Sequence, residues 1–283
     1  MTEPARPLPS KTFNVATSIL LFIIAVVLWQ VYDLIIVYFA PPNAVIYVLY
    51  LVIPAISIVI FFLFTKLAKS TLRKQGYKKP TIVKTSKCLL LSVIFIIVYV
   101  LIYLYPAFTG GGFSYEGIPM DPVRILHRIA SAVLVSLSIE SIFRGYIFRN
   151  LLKNYGFFKS LYASSILFGL YNLLFQVSIT DLIGSSLSQI GIQIFIKFLP
   201  SFAAGIFLGF FFYKIGWSLL GPVTFHAGVI FFLSPLPIVS AASAVPWWLA
   251  LALEMIAYVV IIIVVDSIIK EPSHLRKRYG LEE

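Results

Sequence analysis

Charge is what this chain has least of. Only 12% of its 283 residues are charged, about half the share that a soluble domain carries, and that deficit argues against an ordinary water-soluble fold. Cysteine is nearly absent: Cys88 stands alone, so neither an intrachain disulfide nor a cysteine-based metal cluster can form. Polar–apolar alternation is missing from the hydrophobic stretches, which rules against a membrane β-barrel. Acids are outnumbered, with 11 Asp and Glu against 22 Lys and Arg, a net charge of +11. That excess does not point to nucleic acid, because the basic residues fall in particular loops, the signature of membrane orientation.

What the chain does have is apolar length. Sixty per cent of it is hydrophobic, in runs longer than the roughly 18 residues needed to cross a bilayer. Hydrocarbon holds no water to satisfy a backbone, so such runs must be helices. The expected fold is an all-α, polytopic membrane bundle of about eight spans. They read as Phe13–Phe39, Ala44–Phe64, Cys88–Phe108, a fourth from Val123 past Arg144, Phe157–Val177, Ile192–Tyr213, Trp217–Leu233 and Pro246–Ile269. The first is too long for a signal-peptide core and reads as a retained helix. The whole forms one transmembrane domain over 1–283. Its parts are three N-terminal helices in 1–122 with a basic loop at 66–87, a motif-bearing core at 123–233, and a last helix with a basic tail at 234–283.

The basic residues choose alternate loops. Arg6 and Lys11 precede the first span, eight Lys or Arg lie in Lys66–Lys87, Arg149, Lys153 and Lys159 follow the fourth, and Lys214 follows the sixth. The tail carries Lys270 and Arg276-Lys277-Arg278. The intervening loops hold no base, and two of them carry acids: Glu116 and Asp121 in one, Asp181 in the other. By the positive-inside rule both termini are expected in the cytoplasm, with the protein in the cell membrane. The Lys66–Lys87 run reads as a cytoplasmic loop lying against anionic headgroups.

Ionisable groups inside spans are costly and therefore candidates for function: Asp33, His127, Arg128, Glu140, Arg144, Lys197, His226, Glu254 and Asp266. Glu140 and Arg144 are spaced to meet on one helix face. The pairing would hold the carboxylate ionised, as a base for activating water requires, or would merely lock helices together. Asn172 can bridge helices or orient a water but cannot take a proton. His226 can stabilise an oxyanion, shuttle protons or make an interhelical hydrogen bond. Glu254, in mid-span, is a proton or ion site or a partner for Lys197 or His226.

In order along the chain, three segments resemble the motifs of the CAAX prenyl protease and bacteriocin-processing family of membrane proteases (CPBP, or Abi). Glu140-Ser141-Ile142-Phe143-Arg144-Gly145 resembles EExxFRG. Phe168-Gly169-Leu170-Tyr171-Asn172 resembles FxxxH, and His226-Ala227-Gly228-Val229-Ile230 resembles HxxxN. The resemblance implies an endopeptidase acting on membrane-associated or lipidated protein C-termini, with Glu140 as the base that activates water. It makes Arg144 the organiser of that base, His226 the oxyanion donor and Asn172 the occupant of the first histidine's place. Phe143, Phe168, Ser141 and Glu254 are the expected substrate-binding residues. Ser141, Asn172 and Ile230 depart from the family pattern, and the surviving donors do not suit a four-ligand zinc site, so no cofactor is expected. Two other readings stay open: an inactive member that binds hydrophobic or lipidated peptides, and a small transporter or proton-coupled carrier using Glu140, His226 and Glu254.

Overall fold

The computed structural model describes residues 10–39, 41–77, 86, 89–94, 96–98, 101, 122–176, 186–233 and 247–269. All regular structure among them is helical: α1 (Lys11–Phe39), α2 (Asn43–Leu67), α3 (Pro122–Glu140), a π-helical segment π1 (Ser141–Phe148), α4 (Arg149–Tyr155), α5 (Phe157–Gln176), α6 (Leu187–Lys214), α7 (Leu220–Leu233) and α8 (Trp247–Ile268). A further short apolar helix spans Leu89–Val98. The expected Arg6, Glu116, Asp121, Asp181 and the tail cluster at 276–278 lie outside the described residues.

Among the described residues five helices are long and apolar enough to cross a membrane: Lys11–Ile36, Ala44–Leu67, Ile125–Tyr155, Ile190–Lys214 and Leu251–Ile268. With the shorter apolar helices they make a polytopic helical bundle. Of the eight expected spans, most of the third, Cys88–Phe108, lies outside the described residues, and two others fall short for physical reasons. α7 has 14 residues, about 21 Å at 1.5 Å per residue, against a hydrocarbon layer of about 30 Å. α5 has 20 residues but carries Lys159, Ser160, Ser164, Ser165 and Asn172, which lower its apolar character.

Helix ends follow local chemistry. Pro41 and Pro42 separate α1 from α2: each lacks a backbone N–H, and two in succession disfavour a helix more than the single Pro54 within α2 or Pro200 within α6. Gly156, at φ 74°, takes the left-handed turn that ends α4 and lets α5 double back.

Packing then sets the neighbours: α5 against α6, α3 against both α2 and α7, and α8 against α6. Small residues let α5 and α6 come close. A Cβ on Gly205 would lie 2.9 Å from Ser165, and one on Gly209 would lie 2.5 Å from Leu161. The buried core runs through Phe61, Phe143, Tyr146, Phe168, Phe207 and Phe225. At one end of the bundle Lys11 sits over the Tyr155 ring at 4.5 Å and Arg149 over Trp217 at 4.7 Å. Toward the other end His127 Nε2 meets the Tyr47 carbonyl at 3.0 Å.

Candidate functional site

The rod formed by α3, π1 and α4 changes its winding at Glu140, the last residue of α3. π-Helical turns are rare and recur at functional sites, and all eight residues of this one are buried. Glu140 is fully buried as well, and Arg144 is 2% exposed. The pair lies four residues apart, with Arg144 Nε 3.2 Å from Glu140 Oε2. The carboxylate's other oxygen is 2.8 Å from His226 Nδ1, brought in by α7 from 86 residues away.

Arg144 is held from three sides. Besides the carboxylate, its Nη2 donates to the Gly205 carbonyl at 3.2 Å, and its guanidinium lies 4.2 Å from the centre of the Phe168 ring. A desolvated cation over an aromatic face gains about 2 kcal/mol. The Gly205 carbonyl is reachable because α6 approaches α5 so closely at that residue. Phe168 also turns its ring edge-on to His226, centroids 6.0 Å apart, and meets Phe143 edge-on at 5.3 Å. The ion pair therefore sits against an aromatic wall.

Among the described residues, five side-chain atoms on the rod are buried without a hydrogen-bond partner, and two of them flank Glu140. Ser136 Oγ, one turn before Glu140, and Arg144 Nη1, one turn after it, are buried without a hydrogen-bond partner. Buried polar atoms in this condition are the ones that a water or a ligand completes.

The other expected site residues are placed differently. Ser141 is buried beside Glu140; its hydroxyl donates to the Leu137 carbonyl at 2.5 Å and lies 2.5 Å from Tyr77 Oη. Asn172 turns back into its own helix, its Nδ2 donating to the Phe168 carbonyl at 2.9 Å rather than to Glu140 or His226. Ile230 is half-buried and packs against the apolar core. Glu254 is half-buried on α8, the neighbour of α6. Asp266, exposed at the end of α8, pairs with Lys214 at 2.6 Å. Among the described residues no three His, Cys, Asp or Glu side chains gather as a metal-binding group.

Sequence reasoning missed three participants. Gly205 had a readable signal, the spacing Gly205-Ile206-Phe207-Leu208-Gly209 that marks close helix approach. The π winding and Tyr77 had none.

With this geometry in place, the chain was compared with known proteins. Residues 122–232, the stretch holding Glu140, Arg144, Phe168 and His226, match the family described as Type II CAAX prenyl endopeptidase Rce1-like. A search of curated proteins finds no match to the chain.

Proposed function

We propose that the chain, whose motif-bearing core over residues 122–232 is of the CAAX prenyl endopeptidase type, is an intramembrane endopeptidase hydrolysing peptide bonds of membrane-associated or lipidated proteins. The observation that carries this reading is the fully buried Glu140 carboxylate, gripped by Arg144 on one oxygen and by His226 on the other. A buried carboxylate hydrogen-bonded to one nitrogen of an imidazole makes the ring's other nitrogen the general base that activating a water requires.

The chemistry balances with these side chains alone. With His226 Nδ1–H donated to Glu140, the neutral ring leaves Nε2 as an acceptor. A water held beside the pair gives its proton to Nε2 as its oxygen bonds to the scissile carbonyl carbon. The resulting imidazolium is stabilised by the Glu140 carboxylate and returns that proton through Nε2 to the amide nitrogen as the C–N bond breaks. Glu140 thus supplies the negative charge that makes the pair basic, and His226 carries the proton. The unpartnered Ser136 Oγ and Arg144 Nη1 support a water seat next to Glu140.

The donor set speaks against a divalent cation at this place. Glu140 and His226 are already bonded to each other, and the Arg144 guanidinium stands 3.2 Å from the carboxylate oxygen a metal would use. The reading is therefore of a metal-independent hydrolase. Its cytoplasmic entrance would be the end of the bundle carrying Lys11, Lys74, Arg149 and Lys153, with both termini on that side, as the charge alternation implies.

A second reading, an inactive member that binds hydrophobic peptides, is favoured by one observation: Asn172 is turned into its own helix. One experiment separates the two. Purified protein in liposomes is given a prenylated C-terminal peptide and its unprenylated counterpart, alongside Glu140→Gln. The endopeptidase reading expects cleavage by the parent protein and none by the variant; equal background from both would leave only the binding role.

A further inference from the structure

Part of the segment after α2 turns inward, against the bundle. Lys66, Lys69, Arg73 and Lys74 are exposed, yet Gln75 is 1% exposed, Gly76 is buried and Tyr77 is half-buried. Residues 72–77 form a strap lying along one face of the rod that carries Glu140. Tyr77 Oη is 2.5 Å from Ser141 Oγ. The Gln75 carbonyl abuts Gly145 so closely that a Cβ there would sit 3.0 Å away. The Lys74 carbonyl accepts from Arg149 Nε at 2.7 Å. Residues 141, 145 and 149 are thus touched in turn, while the face one residue back, through Glu140 and Arg144, is left to the site.

The same strap reaches the second catalytic element. Leu219 N, immediately before the His226 helix, donates to the Gly76 carbonyl at 3.2 Å. Gly76 takes φ 105°, and a Cβ on it would meet Phe212 at 2.8 Å, so only glycine lets the strap turn there. Tyr77 is then clamped by the rings of Phe61 and Phe62, at 5.7 and 6.1 Å.

The direction of the Tyr77 bond can be assigned. Ser141 spends its single proton on the Leu137 carbonyl, so Tyr77 donates to Ser141 Oγ. Burial pushes the Tyr77 phenol above its ordinary value and keeps that proton in place, against a smaller opposing effect of the Ser141 bond. Ser141 is therefore pinned from two sides at the residue following Glu140, where α3 gives way to π1.

We infer that Tyr77 is a positioning residue: through Ser141 it fixes the Glu140 carboxylate opposite His226, while Gly76 of the same strap holds the start of the His226 helix. Ser141 directly follows Glu140, and its hydroxyl is held there by a partner reaching in from the loop. The role in catalysis rests on the endopeptidase reading; the role in geometry does not.

The test uses Tyr77→Phe, which keeps the ring between Phe61 and Phe62 and removes only the donor. The full-length chain, with its three histidines, is labelled with nitrogen-15 histidine in lipid nanodiscs, and the proton on His226 Nδ1 is followed by NMR. Tyr77→Phe is expected to shift or broaden that resonance and leave His127 and His274 unchanged. Ser141→Ala should reproduce the effect, and the double variant should show no more than either alone, because the two residues act as one unit. An unchanged His226 signal in Tyr77→Phe overturns the inference, whether or not the protein cleaves anything. Where cleavage is measured, Tyr77→Phe should lower kcat about ten-fold with KM nearly constant, as expected for a misplaced reacting group. A change confined to KM would overturn the positioning role. If the His226 signal responds while the parent protein shows no cleavage, the endopeptidase reading fails and the strap's geometric role stands.

Discussion

Neutralising Glu140 strands a guanidinium that is shielded from bulk water. Arg144 Nε lies 3.2 Å from Glu140 Oε2, and both side chains are essentially inaccessible. At that separation, and at an effective dielectric of about 20, the Coulomb attraction is roughly 5 kcal/mol. Glu140→Gln removes most of it. Arg144 keeps the Gly205 carbonyl and the Phe168 ring, and a glutamine oxygen can still accept from His226 Nδ1, so part of the loss is offset. The expected net cost is about 3 kcal/mol, at the low end for a buried pair broken on one side. The double variant Glu140→Gln/Arg144→Met removes the stranded charge as well, and should recover about 2 kcal/mol relative to Glu140→Gln alone, because an apolar replacement of a whole buried pair is near neutral. The assay is reversible unfolding in mixed micelles by denaturing detergent, read by circular dichroism. Parental stability in Glu140→Gln, or a double variant that simply adds the losses of the two single ones, would refute a sealed, mutually dependent pair.

Three further outcomes are expected. His226→Ala strips Glu140 Oε1 of its donor at 2.8 Å; cleavage should fall to background in the liposome assay, with a stability loss of about 1–3 kcal/mol for the unsatisfied partner. Gly205→Ala drives a methyl against Ser165 at 2.9 Å and should cost about 1–3 kcal/mol in the same unfolding assay. Ser165→Gly in the same chain should return most of that loss, and a neutral Gly205→Ala would refute the close α5–α6 approach. Restoring the family residues with Asn172→His and Ile230→Asn should raise cleavage by at least about ten-fold, since a missing oxyanion donor alone costs about a hundred-fold or more. No rise, in a variant that unfolds like the parent, would count against the proposed chemistry.

Local spacing made half of the site legible. Glu140 and Arg144 sit one helical turn apart, and that proximity follows from sequence separation alone. The hydrophobic runs made the bundle legible for a similar reason, since hydrocarbon leaves the backbone little choice. His226 is another matter. Its meeting with Glu140 spans 86 residues and depends on α7 packing against α3, which no periodicity encodes; only the motif resemblance suggested it. The π winding of Ser141–Phe148 is less legible still. Apart from Gly145 its residues are ordinary helix occupants, while the contacts at 141, 145 and 149 come from a loop elsewhere in the chain. In that loop the exposed charges drew attention away from Gln75, Gly76 and Tyr77, which turn inward.

The energetics of the pair bear on which functional reading the site favours. Desolvating a carboxylate and a guanidinium costs several kcal/mol each, and their attraction repays this only with well-placed additional partners. Here those partners are assembled from three other elements: the Gly205 carbonyl on α6, the Phe168 ring on α5 and the His226 imidazole on α7. A bundle that needed only stability at this point would do as well with leucine and methionine. A cavity that merely bound apolar peptides would do better without a buried charge in its wall. Holding a carboxylate out of bulk water and in contact with an imidazole has a use chiefly when a proton must be moved there. The cost of the arrangement therefore weighs toward hydrolysis over passive binding, even though Asn172 and Ile230 leave the site with fewer polar groups than the motifs it resembles.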